Sequence, residues 1–166
     1  KQLPWQKRHW YRGDERCYPA GQEERTDTMI ERQLWSRIDA PADNLHPIPA
    51  ELGAETAAKK YSELIDGIGR LDLVVLGMGE DGHTASLFPG NPATESAQTA
   101  VPVYDAPKPP AERVSLGLTT IQSAGQRIVL VSGSSKREAL AQMKQGMPIQ
   151  IALIGASHWF VDEAAA

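Results

Sequence analysis

The chain has 166 residues, of which 41% are hydrophobic and 23% charged, so it can bury a core and is not a disordered segment. Acidic residues outnumber basic ones by 21 to 17, and the net charge of −4 disfavours a general nucleic-acid binder. No apolar run approaches the ~18 residues that a membrane span requires. The single cysteine, Cys17, has no internal disulfide partner, which fits a reducing compartment. We therefore expect a cytoplasmic protein with neither nucleic acid nor membrane as a partner.

The first predicted elements are a short aromatic strand and a helix. His9–Tyr11 forms a compact aromatic run. Over Thr26–Ile38, apolar residues recur every fourth position, which predicts a helix with one apolar face. Thr26 or Asp27 is suited to cap its start, and Pro41 prevents its continuation.

A second helix and a strongly apolar strand come next. Glu55–Ile65 has the helical pattern and is followed by the helix-ending glycines Gly67 and Gly69. Leu71–Leu76 is almost entirely apolar, as expected of a strand buried on both faces of a sheet.

The rest of the chain continues this alternation of strands and helices. Further predicted strands are Val101–Tyr104, Arg113–Leu118 and Arg127–Val131, and a helix runs from Gly133–Lys136 to about Lys144. Such alternation favours an α/β fold with an open, mostly parallel sheet and helices on both of its faces. We expect a single α/β domain over residues 1–166.

Polar clusters follow three of the predicted strands. They are Asp14–Arg16, Gly77–Thr84 and Gly133–Lys136. Ligands of open α/β sheets bind beyond the carboxyl ends of the strands. These clusters are therefore the candidate functional residues.

The second cluster contains the pattern G-x-G-x-x-G, at Gly77–Gly82. A dinucleotide-binding loop is disfavoured, because Pro89 ends any helix that would start there. A tight turn that brings Asp81 and His83 together explains the pattern better. Histidine is suited to general-base catalysis at neutral pH, and a carboxylate can orient it. A packed or capping histidine is the alternative interpretation.

Two other kinds of site fit less well. Asp14, Asp81 and His83 contain donor atoms for a metal, but no histidine or cysteine pair has a metal-ligand spacing. A serine hydrolase would need the nucleophile elbow G-x-S-x-G, which is absent around Ser134. We expect no metal site.

The third cluster, Gly133–Lys136, follows a strand and opens a helix. Free amides at a helix N-terminus together with a lysine favour an anion. An ordinary helix cap beside a solvated lysine is the alternative. With Arg16 at another strand end, two cations would clamp a phosphate, which favours a small phosphorylated ligand.

Three segments spread over the chain resemble the glucosamine-6-phosphate isomerase/6-phosphogluconolactonase family. The most specific is LDLVVLGMGEDGHTASLFPG at 71–90, and the others are GDERC at 13–17 and HWFVDEAAA at 158–166. The lactonase branch is the better match, since its signature resembles the glycine-rich segment closely. The deaminases of the family usually have Ile-Ala-Phe-Asn after the histidine, where this chain has Thr84–Leu87.

The resemblance implies the second step of the oxidative pentose phosphate pathway. There, 6-phosphoglucono-δ-lactone is hydrolysed to 6-phosphogluconate without metal or organic cofactor. It implies that His83 is the general base and that Asp81 supports it. The substrate-binding residues that it implies are Asp14, Arg16, Gly77, Gly79, Thr84, Arg113 and Lys136.

Two alternative functions remain open, and the chain differs from the family pattern in one segment. A glucosamine-6-phosphate deaminase would share the fold, and a non-catalytic sugar-phosphate sensor would share the cations. The family's first strand–helix unit, with its Ser-Gly-Gly-Ser/Thr phosphate loop, has no match here, and we expect it upstream of Lys1. The sequence makes no prediction of oligomeric state.

Overall fold

The computed structural model describes residues 4–147 and 149–166. Within them the chain forms eight β-strands and five α-helices, joined by turns and short 3-10 helices. The strands are β1 Trp10–Tyr11, β2 Asp14–Arg16, β3 Leu45–His46, β4 Leu73–Gly77, β5 Ala100–Val103, β6 Arg113–Leu116, β7 Gln126–Val131 and β8 His158–Val161. The helices are α1 Thr26–Gln33, α2 Ala54–Ile68, α3 Leu118–Ser123, α4 Arg137–Lys144 and α5 Gln150–Leu153.

The strands pair in three open sheets. β4, β7 and β8 form a parallel sheet in that order, and β1 pairs with β3 in parallel. The third sheet, with the order β2–β6–β5, is antiparallel. The predicted α/β fold with mostly parallel pairing is confirmed, and the antiparallel sheet was not predicted from the sequence.

The antiparallel sheet changes the place of the first polar cluster. Asp14–Arg16 does not follow a strand end but is itself strand β2, with Glu15 paired to Val114 of β6. Alternation along the strand buries Glu15 completely and leaves Asp14 and Arg16 on the other face. The prediction that this cluster lies beyond the end of a strand was wrong, because three consecutive charged residues lack the apolar pattern that predicts a strand.

The two faces of the parallel sheet differ. Val74 and Leu76 of β4 are buried, but Leu73 and Val75 are 47% and 54% exposed. On the same face as Val75, Leu130 and Phe160 are also half exposed. The expectation that this strand is buried on both faces was therefore wrong for the described residues. An apolar run cannot show whether a second layer covers its strand.

Helix α2 supplies much of the core. Its buried face, which includes Tyr61 and Ile65, packs against β5 and β6. The helix ends at Ile68 and is capped by Gly69, whose φ of 81° favours glycine, while Gly67 lies inside the helix. No helix in the part of the chain that the structure describes is long and apolar enough to cross a membrane.

Helix α1 is shorter than the apolar pattern predicts. It ends at Gln33 and is followed by a 3-10 turn, Trp35–Arg37. None of its residues is fully buried, because its apolar side faces a cavity. Its N-terminus is capped from β2, since the Glu15 carboxylate accepts the N–H groups of Thr26 and Asp27 at 2.8 and 2.7 Å. The predicted caps from the helix's own side chains are not formed.

Candidate active site

The second polar cluster, Gly77–Thr84, forms a tight loop directly after β4, and we call it the glycine loop. The Gly79 N–H donates to the His83 carbonyl at 2.8 Å, and the Thr84 hydroxyl donates to the Gly77 carbonyl at 2.9 Å. Gly82 has a φ of 78°, a left-handed conformation that suits glycine. A Cβ at Gly79 would overlap the His83 ring and the Asp81 carboxylate, so only glycine leaves room for this pair.

Asp81 and His83 form a hydrogen-bonded pair within the glycine loop. The Asp81 Oδ1 lies 2.5 Å from Nδ1 of His83 and also accepts the His83 backbone N–H at 3.1 Å. An Nδ1–H that donates to Asp81 leaves Nε2 with its lone pair. In the neutral ring, this arrangement leaves the Nε2 lone pair able to accept a proton, as a general base requires.

Asp81 is held in its ionised form. Partial burial alone would raise the pKa of its carboxyl, but hydrogen bonds from the His83 backbone and ring outweigh burial and bring the pKa below its ordinary value. At neutral pH, a carboxylate therefore lies against the imidazole and stabilises the positive charge that proton uptake would create.

A cavity of about 700 Å³ opens beside the glycine loop and is bounded on another side by helix α1. Six predicted site residues line it: Asp14, Gly77, Gly79, His83, Thr84 and Lys136. Asp81 lines a neighbouring cavity of about 650 Å³ and reaches the first one through His83. The tertiary structure thus brings together residues from β2, the glycine loop and the turn before α4.

Two predicted cations lie outside the lining of this cavity. Arg16 donates to the Glu24 carbonyl at 2.7 Å. Arg113, which is only 6% exposed, directs its guanidinium at the carbonyls of the loop 108–110. Burial and the charge of Arg16 lower the pKa of Arg113. For both arginines, a contact with substrate stays a prediction.

The loop before α4 is partly occupied by a carboxylate of the chain itself. Asp162 accepts the Ser132 hydroxyl at 2.7 Å and the Gly133 N–H at 3.0 Å. These donors, and the N–H of Ala165, lower the pKa of Asp162. Part of the predicted anion site is therefore used to hold the C-terminal segment, whereas the Lys136 side chain lines the cavity.

Sequence reasoning missed three residues that shape the site. Ser86, which is completely buried, donates to the Asp14 carboxylate at 2.6 Å and fixes its orientation. Phe88 packs against the His83 ring, with the two centroids 4.5 Å apart. Lys108 lines the cavity and pairs with Glu80 at 3.8 Å. Ser86 and Phe88 lie just beyond the glycine loop, but only the tertiary structure shows Lys108 at the cavity.

Neither a metal nor a thiolate is indicated by the described residues. No group of three or more His, Cys, Asp or Glu side chains in 4–147 and 149–166 is arranged to hold a metal ion. Burial and the nearby Glu112 raise the pKa of Cys17 to about 11, so this thiol is protonated at neutral pH and is a poor nucleophile.

Fold and site together define a class of protein. An open α/β fold carries, at the carboxyl end of a parallel strand, a histidine–carboxylate pair beside a cavity with lysine in its lining. This combination is typical of enzymes that act on small anionic metabolites.

Comparison with known proteins gives the family. Residues 1–159 match the model described as "Glucosamine-6-phosphate isomerases/6-phosphogluconolactonase". The chain belongs to this family.

Relatives and solved structures agree with this assignment. The chain is 35% identical to a 6-phosphogluconolactonase of Mycobacterium tuberculosis, in an alignment that covers 100% of this chain and 75% of the relative. It is 36% identical to the human 6-phosphogluconolactonase, covering 92% of this chain and 65% of that one. The crystal structure of the Thermotoga maritima 6-phosphogluconolactonase superposes with a TM-score of 0.90 at 27% identity, over 97% of this chain and 75% of that one.

Proposed function

We propose that this protein hydrolyses 6-phosphoglucono-δ-lactone to 6-phosphogluconate, the lactone-opening step of the oxidative pentose phosphate pathway. Relatives named 6-phosphogluconolactonase match 92–100% of the chain. The observation that carries the proposal is the hydrogen-bonded pair of His83 and Asp81, whose histidine lines the cavity.

The pair supports a general-base mechanism. Nε2 of His83 removes a proton from water as the water oxygen attacks the lactone carbonyl, and Asp81 stabilises the resulting imidazolium. The tetrahedral intermediate then collapses with cleavage of the ring C–O bond. The imidazolium returns its proton to the leaving ring oxygen, which becomes a hydroxyl group. Water is thereby divided between the new carboxylic acid and this hydroxyl, and no other reactant is needed.

Substrate binding is assigned to the polar residues around the cavity. Lys136 supplies a positive charge for the phosphate, and Asp14, held by Ser86, accepts hydrogen bonds from sugar hydroxyls. Gly77, Gly79 and Thr84 form the wall next to His83. Contacts of Arg16 and Arg113 with the substrate would require these side chains to leave their present carbonyl partners.

Replacing His83 tests the proposal. We expect His83→Ala to reduce turnover of the lactone by about 10²–10⁴, the usual contribution of a general base. Hydrolysis is followed by acid release at pH 7 and corrected for the spontaneous reaction. His158→Ala, at an exposed histidine of β8, is the matched control and should retain full turnover.

The same assays separate the alternatives. Ammonia release from glucosamine 6-phosphate without lactone hydrolysis would identify a deaminase instead. Binding of 6-phosphogluconate without any turnover would favour a sugar-phosphate sensor. Lactone hydrolysis that survives His83→Ala would contradict the assignment of the base.

The cellular compartment and the partners of the protein are a further prediction. The single cysteine and the phosphorylated substrate favour a cytoplasmic protein that uses a small-molecule partner and no nucleic acid.

A further inference from the structure

Charge balance in the cavity calls for a second cation beside Lys136. A phosphate monoester carries about −1.5 to −2 charges at pH 7. Three basic residues line the cavity: Arg12, Lys108 and Lys136. Arg12 is already neutralised, since its guanidinium holds the Asp27 carboxylate at 2.5–2.9 Å. Among the described lining residues, Lys108 and Lys136 are therefore the cations available to a substrate anion.

Lys108 lies on a proline-rich loop whose backbone is held by the side chain of Arg113. The Arg113 guanidinium donates to the carbonyl of Lys108 at 2.7 Å and to those of Pro109 and Pro110 at 3.3 Å each. The same guanidinium lies over the Phe88 ring at 5.4 Å, and Phe88 packs against His83. Arg113 thus joins the backbone of the Lys108 loop to the ring that supports the candidate base.

The Lys108 side chain itself is only weakly restrained. Its Nζ lies 3.8 Å from the Glu80 carboxylate, and the two side chains are 68% and 56% exposed. An ion pair with this exposure is worth little. A phosphate, with more charge and three acceptor oxygens, would replace Glu80 as the partner of Lys108.

We propose that Lys108 is a substrate-binding residue that, together with Lys136, holds the phosphate of the substrate. Arg113 is the positioning residue that presents Lys108, and Glu80 is its partner when substrate is absent. This inference rests on the proposed function and extends it to a residue outside the three polar clusters. It also explains why Arg113, despite its charge, lies outside the cavity.

The test compares Lys108→Met with Lys60→Met, which removes an exposed lysine of α2 that lines neither cavity. We expect Lys108→Met to raise KM for the phosphorylated lactone about tenfold and to change kcat less than twofold. Hydrolysis of unphosphorylated glucono-δ-lactone should be unaffected. Glu80→Gln should lower KM two- to threefold, because the competing carboxylate is gone.

A double-mutant cycle tests the role of Arg113. Arg113→Lys retains the charge but cannot reach three carbonyls at once, so we expect it to raise KM nearly as much as Lys108→Met. The double variant should then be no worse than Lys108→Met alone. Additive effects would contradict the positioning role and favour direct contact of Arg113 with the substrate.

Failure of this inference differs from failure of the proposed function. If the parent protein hydrolyses the lactone but Lys108→Met behaves like Lys60→Met, Lys108 does not bind the substrate. If the parent shows no hydrolysis, the proposed function is wrong. Lys108 is then judged by calorimetric affinity for 6-phosphogluconate, which Lys108→Met should weaken about tenfold; an unchanged affinity, or no binding by the parent, would overturn the role of Lys108.

Discussion

The glycine loop is held by hydrogen bonds between near neighbours in the sequence, and the region around Glu15 by hydrogen bonds between two separate elements. In the glycine loop, the hydrogen bonds that orient His83 connect residues no more than seven positions apart. Around Glu15, a completely buried carboxylate on β2 receives the N–H groups of Thr26 and Asp27, which lie 11 and 12 positions further along the chain. We call this second set, with Arg25, the β2–α1 network.

The two regions have different consequences for function. The glycine loop positions the proposed base and its carboxylate partner and is partly open to solvent, with the Asp81 and His83 side chains 44% and 22% exposed. The β2–α1 network borders the cavity through Thr26 and holds α1 against β2. We therefore expect damage to the loop to appear mainly in turnover, and damage to the network mainly in the free energy of unfolding.

The largest expected effect is on stability and comes from Glu15→Ala. The change leaves the buried guanidinium of Arg25, 3.7 Å from Glu15, and two helix N–H groups without this carboxylate. Arg25 keeps the Glu51 carboxylate at 2.8 Å, so the cost comes mainly from the two N–H groups left without an acceptor, at about 1–3 kcal/mol each. Urea denaturation measures the loss, and Glu31→Ala on the exposed side of α1 is the control, expected within about 0.5 kcal/mol of the parent. Equal effects of the two changes would show that the network does not hold α1.

Gly79→Ala should reduce turnover strongly and leave stability nearly unchanged. A methyl group at Gly79 would occupy the space of the His83 ring, and a displacement of about 1 Å is enough to cost ~10²-fold in turnover. The midpoint of thermal unfolding should change little, because the ring can move towards the cavity. Gly67→Ala, in α2, adds a carbon that meets no atom within 4 Å beyond its own neighbours and helix backbone, and it is the control for turnover. In thermal unfolding it should raise the midpoint slightly, because alanine favours a helix over glycine. Turnover equal to that of Gly67→Ala would contradict the geometry of the glycine loop.

The smallest effect concerns the β1–β3 pair beside the β2–α1 network. The His46 ring stacks on Tyr11 and lies 2.9 Å from His9, and burial, His9 and Arg12 lower its pKa. The unfolded chain then takes up this proton near pH 6.5 and the folded chain only at lower pH, so stability falls as the pH decreases from 7 to 5. Because the ring is half-buried, we expect less than about 1 kcal/mol.

The variant His46→Phe isolates this contribution. It retains an aromatic ring for Tyr11 but cannot bind a proton, so its unfolding free energy should depend less on pH than that of the parent. His158→Asn, at an exposed histidine, should leave the parent's pH dependence unchanged. A steeper dependence in His46→Phe would contradict the direction of the pKa shift.

The glycine loop was predictable because its interactions are local. Three glycines after an apolar strand, with a carboxylate and a histidine two positions apart, predict a turn that brings Asp81 and His83 together. The structure confirms this geometry. The catalytic role of the pair stays a prediction, which the His83→Ala variant tests. The helix α2 and the parallel strands β4 and β7 were predictable for the same reason, since their apolar patterns are continuous.

The β2–α1 network could not be predicted from local patterns. Asp14–Arg16 consists of three charged residues, and only its pairing with β6 makes it a strand with Glu15 buried. The cap of α1 was wrongly assigned to Thr26 or Asp27, because the carboxylate that performs it lies on another element. The position of Lys108 at the cavity could not be predicted either, since it depends on a hydrogen bond from Arg113 in β6.

The sequence by itself determined the α/β class, the close approach of Asp81 to His83 and the anionic character of the expected ligand. These follow from periodicity and from contacts within a few residues, where the chain has little conformational freedom. Tertiary structure alone decided which cations line the cavity, turning Lys108 and Lys136 towards it and Arg113 towards backbone carbonyls. The reason is geometric: a charged side chain binds a ligand or supports the fold according to the partners that strand pairing brings within its reach.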